Sequence, residues 1–260
     1  MLALKLLLVP TLLAAVTLAG RRWGQRTAGW LGSFPIVAAP ILLILAIEQG
    51  APFAALAAER AMAAIAATMA FFVVLARLAP RLRWASALGV ALIAWVALVA
   101  ALSWLPATLP IATLAAVVAL ALAPLAMGAE LATPASTVAT ATTGPAPSPP
   151  SRWELPSRML AGAALALITS HLGARFGPET SGYAALFPVV GATAAGFNLA
   201  RQGAPTAVSF LRGMNRGMWS VAVFCGVLSL ALLHLTVPAA FGIALLATIV
   251  SHAIVQPRSP

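Results

Sequence analysis

Residues 20–52 read GRRWGQRTAGWLGSFPIVAAPILLILAIEQGAP, and this stretch decides the fold because the chain carries it twice. Residues 173–205 read GARFGPETSGYAALFPVVGATAAGFNLARQGAP and align with it without a gap, at a shift of 153 residues. Phe34-Pro35 aligns with Phe187-Pro188, and Gln-Gly-Ala-Pro closes both copies. Matches of Gly, Phe, Pro and Gln are informative in a chain rich in Ala and Leu. The sequence therefore predicts two copies of one structural unit.

The composition indicates a membrane protein. Of the 260 residues, 62% are hydrophobic and 8% are charged, and a soluble fold cannot bury apolar surface in that proportion. A stretch of about 20 apolar residues crosses a hydrocarbon core of about 30 Å. The chain contains nine such stretches, and the predicted spans are residues 2–19, 28–48, 61–79, 84–105, 109–127, 157–173, 181–200, 216–235 and 239–255. Residues 1–20 also resemble a signal peptide, but we expect them to be retained because the second unit has its own version of this segment.

The repeat predicts how the spans are organised. The same shift continues from SALGVALIAW to AAFGIALLAT, so each unit has four spans and the fifth span is left over. One connecting span makes the second unit enter the membrane from the opposite side, so we expect inverted repeats. The predicted fold is an all-α polytopic transmembrane helical bundle. It divides into a first repeat at 1–105, a connector helix at 106–127, a Pro/Thr/Ser-rich cytoplasmic linker at 128–156, and a second repeat with its tail at 157–260.

The distribution of arginines predicts the orientation. With the N-terminus in the periplasm, twelve arginines lie on the cytoplasmic side, against Lys5, Arg60 and Arg175 outside, as the positive-inside rule requires. The C-terminus is then cytoplasmic, and the predicted location is a bacterial inner membrane. Three repeat-related pairs exchange the sign of their charge, and each exchange keeps Arg inside and Glu outside: Arg26 with Glu179, Glu48 with Arg201, and Glu59 with Arg212.

Residue types that carry catalysis or bind metals are scarce. The chain has no Asp, five Glu, three His and one Cys, and it lacks metalloprotease and phosphate-loop motifs. We therefore expect no enzyme activity, no cofactor and no metal. The basic charge does not form a stripe with interleaved aromatics, so we expect no nucleic-acid partner. The favoured interpretation of His171, His234 and His252 is interfacial residues near span ends, with a proton relay as the alternative.

The candidate substrate site is centred on Phe34, Pro35, Phe187 and Pro188. A proline inside a span frees a backbone carbonyl, which must be met by protein or water in lipid. Broken helices at matching positions of inverted repeats line the substrate site of many transporters. We therefore predict that the two Phe-Pro pairs face each other, and an ordinary proline kink is the alternative.

Four polar residues complete the predicted site. Asn198 lies deep in a predicted span, where its repeat partner is Leu45. It is either a binding group or an interhelical hydrogen-bonding residue. Arg212, Asn215 and Arg216 share one helix face. This face either binds an anionic substrate or lipid headgroup or extends its arginines to the cytoplasmic surface.

The segment from 157 to 255 resembles the GlpM-like family of small bacterial inner-membrane proteins. The shared pattern is a glycine-rich start, Phe187-Pro188, a polar break, and an arginine-bearing helix from Arg212 to Trp219. The first half of the chain resembles a more divergent copy of the same unit. The resemblance implies a membrane protein and supplies no residue-level activity.

The sequence thus favours a small inner-membrane transporter or permease of unknown substrate. Its expected partners are the lipid bilayer and a small-molecule or lipid substrate, and the oligomeric state is not predicted. The alternative is a non-transporting scaffold or accessory subunit for envelope assembly. Few polar residues are predicted at mid-depth, which favours this alternative because ion-coupled carriers usually keep an acidic residue or a His there.

Overall fold

The computed structural model describes residues 2–35, 38–106, 108–128, 156–161, 164 and 177–255. Throughout these ranges the chain forms helices joined by short turns. The helices are α1 (Leu2–Trp23), α2 (Gln25–Gly32), α3 (Ala38–Glu48), α4 (Ala51–Leu78), α5 (Trp84–Ser103), α6 (Leu109–Ala126), α7 (Gly177–Ala185), α8 (Val189–Gln202), α9 (Ala204–His234) and α10 (Val237–Ile254). Residues 156–161 are also helical.

The helices are those of a membrane protein, as the composition predicts. Within the described residues, α4, α5, α6, the α7–α8 pair, α9 and α10 are each long and apolar enough to cross a membrane. The first predicted span coincides with α1, and the second lies on α2 and α3. Most of the predicted span at 157–173, and the linker after residue 128, lie outside the described residues.

The predicted spans at 61–79 and 216–235 are too short, because α4 begins at Ala51 and α9 at Ala204. Charged residues early in each helix shorten its apolar run in the sequence, but in the fold they are accommodated by neighbouring helices. Gly50 and Gly203 set the true starts. Their φ angles of 92° and 86° lie in the left-handed region that favours glycine, and a proline follows within the first turn of each helix.

Helices α4 and α9 form the centre of the bundle and run antiparallel. Phe71 and Phe72 of α4 are fully buried, as are Phe210 and Phe224 of α9. The Ser229 hydroxyl late in α9 donates to the Glu59 carboxylate early in α4 at 3.2 Å. Helices α5, α6 and α10 instead expose many large apolar side chains, the arrangement expected of helices that face lipid.

Two close helix contacts exchange partners between the halves of the chain. A Cβ atom on Gly29 of α2 would overlap the Phe210 carbonyl oxygen of α9, and one on Gly182 of α7 would overlap the Ala57 carbonyl oxygen of α4. Gly182 is Gly29 shifted by 153 residues, and Phe210 is Ala57 shifted by the same number. Each half therefore packs its short broken helix against the long helix of the other half.

Candidate functional site

Both Phe-Pro pairs interrupt a helix. Helix α2 ends at Gly32 and α3 begins at Ala38, whereas α7 ends at Ala185 and α8 begins at Val189. At the second break the Val189 N–H donates to the Phe187 carbonyl at 2.7 Å, and Pro188 has φ −76° and ψ 57°. These angles define an inverse γ-turn. The matching irregularities expected from the sequence are thus present, as breaks rather than kinks.

The two breaks line one cavity of about 60 Å³. Ser33, Phe34 and Pro35 contribute one wall, and Leu186, Phe187 and Pro188 contribute another; Thr68 of α4 and Met214, Met218 and Val221 of α9 also face it. This volume is enough for a few water molecules. The structure therefore brings Phe34, Pro35, Phe187 and Pro188 together, although they are far apart in the chain.

Hydroxyl groups meet some of the backbone carbonyls at the breaks. The Thr68 hydroxyl lies 3.0 Å from the Leu186 carbonyl oxygen and 3.1 Å from that of Ala64, so its single hydrogen is shared between them. The Trp95 indole N–H donates to the Thr68 oxygen at 3.4 Å. In the other half, Ser33 donates to the Trp30 carbonyl at 2.6 Å. Each break therefore has a hydroxyl group beside it.

Each Phe of the Phe-Pro pairs is covered by an aromatic ring from the opposite half. Phe187 meets Trp95 of α5 edge-on, with ring centroids 5.0 Å apart. Phe34 meets His252 of α10 edge-on at 5.4 Å. Helices α5 and α10 begin 153 residues apart, so the two covering rings, Trp95 and His252, lie on helices that correspond in the repeat. The sequence does not reveal these contacts because each joins segments that are distant in the chain.

His252 lies in the last turn of α10, near the end of its predicted span, and it is buried against neighbouring helices rather than exposed. Its side chain is 6% exposed and stacks on Trp30 with ring centroids 4.3 Å apart. The Ser220 hydroxyl lies 2.6 Å from the Gly217 carbonyl oxygen and forms a hydrogen bond with His252 Nδ1 at 2.8 Å. His252 Nε2 has no partner in the described part of the chain. His234 is exposed, and His171 lies outside the described residues.

Asn198 does not line the cavity. It is fully buried, accepts a hydrogen bond from Arg158 at 3.0 Å and donates one to Gln25 at 3.0 Å. The Arg158 guanidinium also lies over the Phe197 ring, 5.3 Å from its centroid. Asn198 thus hydrogen-bonds to residues of two other helices, which is the role of an interhelical hydrogen-bonding residue. Its sequence partner Leu45 has no such group, so this network exists in one half only.

Arg212, Asn215 and Arg216 lie on α9 beside the start of α2. Arg212 donates to the Gly128 carbonyl beyond the end of α6, a favourable position for a cation. Arg26 of α2 lies close enough to both arginines to act on their charges. The Asn215 oxygen is buried and has no partner among the described residues. The structure therefore adds Arg26 to the three residues found from the sequence.

A second polar cluster joins α4 to α7. The Arg60 guanidinium donates to Glu179 at 2.7 Å, to the Tyr183 hydroxyl at 3.2 Å and to the Leu105 carbonyl at 3.2 Å. Arg60 is buried, whereas the Glu179 side chain is 46% exposed. The sequence placed Arg60 at the edge of a span and gave no sign of its partners.

The described residues hold no group of three or more His, Cys, Asp or Glu arranged to bind a metal ion. No family model matches the chain, and no curated protein or solved structure matches it.

Proposed function

We propose that this chain is a small bacterial inner-membrane transporter or permease for a small-molecule or lipid substrate. The observation that carries the proposal is that both Phe-Pro breaks line one cavity. Non-helical backbone at membrane depth is tolerated where protein or a water-filled cavity meets its polar groups. The proposed pathway runs between the α2–α3 pair, α4, the α7–α8 pair and α9.

We further propose nine spans and two inverted repeats. In support, α4 and α9 begin 153 residues apart, as do α5 and α10. Gly29 of the first half packs against α9 of the second half, and Gly182 of the second half packs against α4 of the first. This reciprocal contact is the pattern of a two-fold relationship. Because α4 and α9 are antiparallel, such an axis lies perpendicular to them, in the plane of a membrane that they cross. Inverted-repeat transporters have this axis.

The two ends of the proposed pathway differ in charge. With the N-terminus periplasmic, Arg60 and Glu179 lie at the outer end and Arg26, Arg212 and Arg216 at the inner end. The outer end is bridged by the Arg60–Glu179 ion pair, whereas among the described residues the α2–α9 contact at the inner end carries Arg26, Arg212 and Arg216 without a carboxylate partner. In alternating access one end closes while the other opens. The outer ion pair is the contact that must break for a substrate to pass.

Cysteine accessibility tests whether the cavity belongs to a water-filled pathway. The native Cys225 is fully buried and is replaced by Ala, and single cysteines are introduced as Ser33→Cys and Leu186→Cys. Both positions line the cavity. We expect a hydrophilic, membrane-impermeant thiol reagent to modify both variants from at least one side of the membrane. The control is Leu114→Cys, an exposed position on α6, which lipid should protect.

The scaffold remains the second candidate, because the cavity is small and lined mainly by apolar side chains such as Phe34, Phe187 and Met218. A scaffold predicts that Ser33→Cys and Leu186→Cys stay unmodified from both sides while remaining folded. That outcome would refute the transport proposal.

A further inference from the structure

We propose that Arg26, Arg212 and Arg216, together with Asn215, form an oxyanion-binding site where α2 meets α9. The ligand is a phosphate or a similar oxyanion, either free in solution or in the headgroup of an anionic lipid. The site stands independently of the transport proposal, because it requires only binding at the proposed inner surface.

The backbones of α2 and α9 touch at this site. A Cβ atom on Gly213 would overlap the Arg26 carbonyl oxygen, so Gly213 lets the two helices approach until they touch. Arg212 precedes this glycine, and Arg216 lies one helical turn after Arg212 on the same face. The close approach therefore holds guanidinium groups from two helices within interaction range of one another.

No residue in the described part of the chain neutralises these charges. Arg26 and Arg216 have no hydrogen bond or ion pair to the described residues, and Arg212 bonds the Gly128 carbonyl while its buried Nε has no partner. Like charges held close together raise each other's free energy. Asn215 adds a side chain that is only 3% exposed and whose oxygen has no partner among the described residues. A half-turn of the side-chain amide exchanges its oxygen and its nitrogen. The NH₂ group, a hydrogen-bond donor, then occupies the position of the buried oxygen.

In the other half of the chain, the contact that corresponds to the α2–α9 contact contains a carboxylate of the protein. Shifted by 153 residues, Arg26 becomes Glu179 and Arg60 becomes Gly213. At the α4–α7 contact, Glu179 neutralises Arg60 at 2.7 Å. At the α2–α9 contact, an arginine replaces the carboxylate and none of the described residues supplies a negative charge, so an external anion has a place to bind. Guanidinium groups bind phosphate and carboxylate through paired hydrogen bonds, which fixes the chemical class of the ligand.

The test is the thermal stability of the purified full-length protein. One arm uses neutral detergent and adds inorganic phosphate, with chloride at equal ionic strength as reference. The other uses phosphatidylcholine nanodiscs with and without phosphatidylglycerol. We expect the oxyanion to raise the Tm of the unchanged protein by roughly 5 °C. Arg26→Gln and Arg216→Gln should lose most of this rise, and Arg81→Gln should keep it. Arg81 is the matched control because it is an exposed arginine outside the cluster.

A response to phosphate identifies a free oxyanion, and a response to phosphatidylglycerol alone identifies a lipid headgroup. No response in either arm, or an equal response in Arg26→Gln and Arg81→Gln, overturns the proposal.

Ligand-free Arg216→Gln should unfold no earlier than the unchanged protein, because it removes a like charge; a lower Tm would indicate a structural role instead. If a Gln variant does not fold, Arg216→Lys keeps the charge and should keep a weakened response. An undiminished response in that variant would also count against the site.

Discussion

Arg60 on α4 donates a hydrogen bond to Glu179 on α7 at 2.7 Å, joining the two halves of the chain across 119 residues of sequence. The same guanidinium reaches the Tyr183 hydroxyl and the Leu105 carbonyl. A buried guanidinium needs such partners, because an unpaired charge away from water is costly. The ion pair is therefore a structural connection at the end of the bundle opposite the arginine cluster.

Replacing Glu179 by Gln should destabilise the protein. The neutral amide leaves the buried Arg60 without its counter-charge. The cost is about 1–2 kcal/mol, because solvent screens the Glu179 side chain, which is 46% exposed. Thermal unfolding in detergent measures the effect. Glu48→Gln makes the same chemical change at an exposed position and should lower the Tm much less. Equal effects of the two substitutions would show that the ion pair contributes nothing.

Alanine substitutions at Gly29 and Gly182 should both destabilise the fold. Each added Cβ atom would overlap a carbonyl oxygen of the facing helix, and overpacking of this kind costs about 1–3 kcal/mol. The matched controls are Gly89→Ala and Gly242→Ala, which are also 153 residues apart and have nothing within 4 Å of the added atom. Alanine in an open helical position should stabilise by about 0.5–1 kcal/mol. A stable Gly29→Ala or Gly182→Ala variant would contradict the close packing of these helices.

Replacing Thr68 by Val should lower stability at the second helix break. Valine has nearly the same shape but leaves the Leu186 carbonyl and the Trp95 indole N–H without their partner, which costs about 1–3 kcal/mol. Thr248→Val is the control, since the buried Thr248 hydroxyl donates to Ala244 of its own helix. Tryptophan fluorescence and thermal unfolding measure both variants. If Thr248→Val has the larger effect, Thr68 does not support the break.

Reporter fusions test the proposed topology. Fusions after Gly24, Gly50 and Pro147 should report the cytoplasm, the periplasm and the cytoplasm, because the arginine distribution places these loops on alternating sides. Enzymes active in one compartment only provide the measurement. A periplasmic signal at Pro147 would rule out both the nine-span count and the inverted repeats. The Gly24 and Gly50 fusions act as internal controls for each other.

Much of the fold follows from the sequence. The helices that are long enough to cross a membrane are apolar runs in the sequence, and the aligned Gly, Phe and Pro residues predict irregular helices at Pro35 and Pro188. The predicted starts of the spans on α4 and α9 were less accurate, because a hydropathy pattern ends an apolar run at charged residues such as Glu59 and Arg212. In the fold, Ser229 donates to Glu59 and Arg212 donates to Gly128. The resemblance to the GlpM-like family stays a prediction.

The sequence by itself predicted the helical membrane character, the repeated stretch and irregular helices at Pro35 and Pro188. These properties depend on composition and on neighbours along the chain. Only the tertiary structure decided which distant groups meet: the two Phe-Pro breaks at one cavity, His252 beside Phe34, Glu179 with Arg60, and Arg26 against Gly213. The physical reason is that helix packing selects these partners. Glycines such as Gly213 let particular helices touch, and local sequence patterns do not specify which pairs of helices do so.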